Sequence, residues 1–166
     1  MSRLPFGTRL GLAAAFGSAL LLGGAYYFQY VVGLAPCDMC IWQRYPHALA
    51  VLFGLLTIPL LVEPTAALVF ALVAVLSLFA TSGLGVYHAG VELHWWQGPP
   101  SCTGRVPGGL TPEQLKEWLM NARMVRCDEP AWKMWNISMA GWNAILSGTL
   151  ALVLSITVFN HVRAKT

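Results

Sequence analysis

Charged residues are absent from four long runs of this chain. Leu10–Cys37, Tyr45–Val62, Pro64–Val91 and Met134–Val162 hold no Asp, Glu, Lys or Arg over 28, 18, 28 and 29 residues. A helix needs about 20 apolar residues to cross roughly 30 Å of hydrocarbon. All four runs reach or approach that length. Their apolar positions do not alternate as barrel strands would. The pattern predicts four membrane-spanning helices over 10–29, 45–62, 66–87 and 138–159. The first run, preceded by Arg3 and Arg9, has the flanks of a secretory signal, and Leu34-Ala35-Pro36-Cys37 loosely resembles a lipoprotein cleavage box. The run is longer than a signal core of about 7–15 residues, so it is read as a span.

Composition agrees. Hydrophobic residues make up 57% of the 166 and charged residues 10%, with a mean hydropathy of +0.61. A soluble domain carries about 25% charge. A net charge of +3 is too small to argue for nucleic acid. The expected architecture is all-α: one polytopic membrane domain over 1–166, an antiparallel four-transmembrane-helix bundle. Arg3 and Arg9 at one end and Arg163 and Lys165 at the other place both ends on the cytoplasmic side. The connections 30–44 and 88–137 then face outward. Trp95, Trp96, Trp132 and Trp135 lie near the ends of the longer one, where an aromatic interface belt sits. Within it Thr111-Pro112-Glu113-Gln114 reads as a helix start, with Thr111 as N-cap and Gln114 closing a capping box. Leu115, Trp118, Leu119 and Ala122 share a face, as in a short amphipathic helix lying on the bilayer.

The four cysteines, Cys37, Cys40, Cys102 and Cys127, all fall in the outward connections. Disulfides persist on that side, and four cysteines allow three pairings. Cys37-Asp38-Met39-Cys40 is a CxxC pair, whose small ring suits redox cycling better than stapling. Cys40 stands at the start of the second span, where free N–H groups stabilise a thiolate. Arg44 follows one turn later on the same face. A guanidinium there suits hydrogen bonding to a carbonyl-bearing, lipid-soluble oxidant. Cys102 and Cys127 invite a structural staple when taken alone, and exchange with the CxxC pair when taken with it.

Other chemistries fit less well. The second pair lacks the close spacing of a zinc or iron–sulfur site, so no metal is expected. Ile41 excludes a haem-attachment CxxCH. His88 and His94 have no matching histidine at comparable depth on another span. His47 is expected to be a polar group satisfied inside the bundle. His88 is placed either there or as a hydrogen-bond partner of a cofactor. Glu92 stands too isolated for a role.

Pro36-Cys37-x-x-Cys40-Ile41-Trp42-x-Arg44, entering the second of four spans, resembles the bacterial disulfide bond formation protein B (DsbB) family. The resemblance extends to the span count, the inward ends and the second cysteine pair flanking a short helix. It implies an inner-membrane, quinone-linked thiol oxidase. The partner would be DsbA, a periplasmic thioredoxin-fold oxidant, and the acceptor ubiquinone or menaquinone. It further implies that a Cys102–Cys127 disulfide takes electrons from DsbA, with Cys102 the attacked sulfur. The loop pair would then exchange with Cys37–Cys40 through a Cys37–Cys127 bridge, and Cys40 would engage the quinone beside Arg44. His88 carries over as a quinone neighbour by its place near the end of the third span. Gln43 stands where some relatives carry an acidic residue. An oxidase dedicated to one periplasmic partner, and a structural membrane protein with two static disulfides, are the competing readings.

Overall fold

A computed structural model describes residues 4–61, 63–102, 108–121 and 125–164. Four long helices dominate: α1 (Phe6–Tyr30), α2 (Asp38–Leu55), α3 (Pro64–Glu92) and α5 (Met139–Arg163). The short α4 (Pro112–Asn121), a 3₁₀ turn over Pro100–Cys102 and a two-stranded hairpin lie between α3 and α5. Helix α3 packs against α1, α2 and α5. It is the most apolar of the four, and it presents Ala67, Ala71, Ala74 and Leu78, all fully buried. Ala14 of α1, Ala50 of α2 and Ala151 of α5 join Ala71, Ala74 and Leu78 in one core. Small residues at helix contacts let backbones approach, which replaces the hydrophobic drive that lipid removes. The large side chains point outward instead, Phe16, Leu76, Leu152 and Phe159 among them. An apolar exterior over a small-residue core is the pattern of a chain solvated by lipid.

Helices α1, α3 and α5 are long and apolar enough to cross a membrane. Helix α2 departs from expectation. It ends at Leu55, and residues 56–61 are turns, so the expected span to 62 is too long at its C-terminal end. Pro59 lies four residues past Leu55 and can give its carbonyl no N–H, whereas Pro46 sits inside α2 without ending it. The expected outer connection from residue 88 also starts late, because α3 runs on to Glu92. The second shift puts His88 and Glu92 on a helix.

The α1–α2 contact depends on two glycines. A Cβ on Gly54 would lie 2.3 Å from the Gly11 carbonyl oxygen and 2.7 Å from Ala15 Cβ. Gly54→Val should therefore separate the two helices and cost about 1–3 kcal/mol. The measurement is a detergent-unfolding titration of purified protein. An unshifted midpoint would show that the contact is not limiting.

The segment between α3 and α5 has the expected helix start. The Thr111 N–H donates to Gln114 Oε1 at 3.0 Å, and the Gln114 N–H to Thr111 Oγ1 at 3.3 Å. Leu115 is half-buried, Lys116 and Glu117 are exposed, and the rest of the expected apolar face lies outside the described side chains. The hairpin went unforeseen. Lys133–Met134 pairs with Ile137–Ser138 through a turn in which Trp135 and Asn136 both have positive φ, 51° and 63°. Two positive φ values make the tight turn whose twist matches that of the strands. The hairpin delivers Ser138, whose hydroxyl accepts the Gly141 N–H and caps α5.

Candidate functional site

Cys37 is the N-cap of α2, and its sulfur accepts the Cys40 N–H at 3.3 Å. The two sulfurs lie 2.8 Å apart as a thiol pair. Both residues precede Tyr45, where the uncharged run of α2 begins. The thiol hydrogen bond from Cys37 holds the Cys40 pKa below the ordinary cysteine value, and Arg44 adds a smaller pull the same way. That hydrogen bond, then burial, pushes Cys37 up. Cys40 is thus the thiolate of the pair. Its midpoint is lowered, so its nucleophilic form persists to lower pH than in a free cysteine.

Cys102 and Cys127 are joined by a disulfide with Cα atoms 5.1 Å apart. Both sit in one buried cluster with Cys37, Met39 and Val91, and Cys40 packs against it. The fold thus brings the second pair up against the first. Disulfide exchange needs this proximity.

His88 stands on the α3 face turned to Cys37, its Nε2 3.6 Å from the sulfur. A buried polar chain holds the ring. The Gln43 amide nitrogen donates to the Met39 carbonyl at 3.1 Å and to His88 Nδ1 at 2.8 Å. Gln43 Oε1 accepts from Asn143 Nδ2 at 2.7 Å. Asn143 Oδ1 accepts from His47 Nε2 at 2.8 Å and from the Ser147 hydroxyl at 2.9 Å. The Ser18 hydroxyl donates to His47 Nδ1 at 3.3 Å. A backbone carbonyl only accepts, so the Met39 contact fixes the Gln43 amide, and alternation fixes every later member. His88 must then accept at Nδ1 and carry its proton at Nε2, toward Cys37. All four long helices contribute to this chain, which leaves no end unpaired where a lost partner would be costly.

Arg44 is held from α1. It donates to Gln29 Oε1 and stacks its guanidinium over Tyr26, 4.9 Å from the ring centre. Its Nε is buried without a partner. Glu92, one turn beyond His88, has an Oε1 3.8 Å from His88 Nε2 and an Oε2 that is also buried and unpartnered. Both residues line a cavity of about 420 Å³ between the four long helices and the segment that joins α3 to α5. Leu21, Phe28, Trp142 and Leu146 make most of its wall apolar, while Cys40 and His88 lie at its polar end. A volume in this range suits a small organic ligand. An apolar wall with an unused guanidinium N–H fits a flat, lipid-soluble molecule bearing carbonyl oxygens.

Of the expected residues, Cys37, Cys40, Arg44 and His88 thus share one cavity, and Cys102–Cys127 packs against its thiol pair without lining it. Gln43, Asn143 and Glu92 were missed. Each is a lone polar residue in an uncharged run or at its edge, a signal that marks functional positions in membrane helices.

The family model described as disulfide bond formation protein DsbB matches residues 7–157. Disulfide bond formation protein B of Shewanella sp. strain ANA-3 is 34% identical over 86% of this chain and 82% of its own length. That of Pasteurella multocida is 29% identical over 89% and 84%. An uncharacterised protein of Rickettsia prowazekii is 27% identical over 86% and 82%. No solved structure matches. With a thiol pair at a helix start, a second pair packed against it and a match along nearly its whole length, this chain belongs to the DsbB family of disulfide-forming membrane oxidoreductases.

Proposed function

We propose that this protein is a quinone-linked thiol oxidase of the bacterial inner membrane. It reoxidises a DsbA-like periplasmic dithiol protein and passes the electrons to ubiquinone or menaquinone. The whole chain acts as one membrane domain of four spans, with both ends cytoplasmic and all four cysteines periplasmic. The observation that carries this reading is the cavity, where the Cys40 thiolate meets an apolar wall and the free Arg44 Nε.

The Cys102–Cys127 disulfide takes the partner's electrons, with Cys102 the attacked sulfur. Cys127, freed as a thiol, attacks Cys37 across the buried cluster and forms a Cys37–Cys127 bridge. The electron pair of the broken Cys37–Cys40 bond goes to Cys40. The His88 Nε2–H, aimed at Cys37, stabilises negative charge there as the bridge resolves. Quinone, when bound, supplies the oxidising power by accepting two electrons and two protons. Arg44 orients it and stabilises the charge that develops on its oxygen. The chain itself contributes proximity and a positioned cation.

The test is thiol trapping in intact membranes with an alkylating mass tag. Four blocked cysteines should become free on adding reduced DsbA and reclose when quinone is supplied. Disulfides that stay closed throughout would make them static staples.

A further inference from the structure

We propose that Glu92 is the proton relay of the quinone half-reaction, taking a proton from Cys37 and giving it to a quinone oxygen. The inference rests on the quinone-linked reading above.

Glu92 ends α3 with its side chain 8% exposed and one oxygen without a partner. It lines the cavity beside Cys40 and Arg44. A Glu92 carboxylate opposes charge on Cys40. A proton taken up from Cys37 as that thiol is oxidised removes this opposition.

Among the described residues no other group beside Cys40 is free to take this role: Glu129 pairs with Arg126 at 3.3 Å, and both ring nitrogens of His47 are used in the buried chain. His88 Nδ1 is filled by the Gln43 N–H, and its Nε2 already carries hydrogen. Gln43 and Asn143 are amides, which orient but do not ionise. Around Glu92 stand Cys37, Cys40 and Arg44 from α2, His88 from α3, and Lys133 and Ser138 from the hairpin. Arg126 and Glu129 line the same cavity, and α1 and α5 bring no ionisable side chain to it.

The step balances. Closing the Cys37–Cys40 disulfide forms one S–S bond, breaks the Cys37 S–H bond and releases two electrons and one proton. Glu92 takes the proton from Cys37 and gives it to a quinone oxygen. Water supplies the second proton of the quinol.

The test uses the full chain with Cys102→Ser and Cys127→Ser, so that only the first pair reports. Disulfide closure is followed in a single turnover with a short-chain ubiquinone. Separately, with no quinone, the rate of Cys40 alkylation is measured against pH. Glu92→Gln should slow closure roughly 10- to 100-fold, the low end for a lost general acid because water can substitute. It should also move the alkylation midpoint to lower pH, since a repelling charge is gone. Glu92→Asp should restore part of the closure rate. An unchanged closure rate in Glu92→Gln, or an unmoved midpoint, overturns the proposal. A parent protein that quinone fails to oxidise sinks the function itself, whereas a competent parent with an unaffected variant sinks only the role of Glu92.

Discussion

Cys40→Ser should reduce quinone-linked turnover to the uncatalysed background. A serine oxygen cannot form the second bond of a disulfide, and its hydroxyl ionises far less readily than the Cys40 thiol, whose pKa is lowered. The variant keeps Cys37 at the helix start and keeps the Cys102–Cys127 disulfide, which lies in the cluster behind it. Reduced partner protein should therefore still open the loop disulfide once. Alkylation would then find the loop cysteines free and unable to reclose, whatever quinone is added. Stopped-flow absorbance at the quinone band gives the turnover, and mass tagging gives the state of each thiol. Sustained quinone reduction by Cys40→Ser would remove Cys40 from the electron path and leave Cys37 to meet the acceptor directly.

What the sequence discloses about this site depends on how local each feature is. The thiol pair, its place at a helix start and Arg44 one turn on are contained within eight consecutive residues. Helical periodicity alone puts Cys40 and Arg44 on one face. The capping box at Thr111 is equally local, and it forms as expected. The buried chain from Ser18 to His88 is the opposite case. Its members lie 29, 96, 100 and 45 positions apart along its successive links. Only packing of all four helices brings them together. Each of those residues, read singly, is one polar group in an apolar run. Glu92 looked isolated for the same reason: its partners are a helix turn behind it and on α2. The end of α2 was overestimated because an uncharged run does not reveal where turns interrupt it. Apolar composition sets whether residues can sit in lipid. Pro46 sits inside α2 without ending it, while Pro59 lies just past the end and gives the Leu55 carbonyl no N–H.

Arg44→Ala should slow oxidation of the first thiol pair by quinone about 10²–10³-fold, the loss expected when one positioned donor to a developing oxyanion is removed. The geometry says why Arg44 in particular matters. Gln29 and the Tyr26 ring hold two sides of the guanidinium from α1, so its direction is set before any ligand arrives. The remaining buried Nε–H has no partner among the described residues. A donor already desolvated and already aimed loses little on engaging a carbonyl, and leaving it unpaired is costly. Arg44→Lys keeps the charge but loses the planar fork and its stacking on Tyr26, so it should recover only part of the rate. Exchange between Cys102–Cys127 and the partner protein should stay near the parent rate, because neither loop cysteine lines the cavity. A quinone titration separates two effects. A raised KM with unchanged kcat would assign Arg44 to binding alone, and a fall in kcat would assign it to the charge that forms as the quinone is reduced. Unchanged KM and kcat together would take Arg44 out of the site and make it an anchor between α1 and α2.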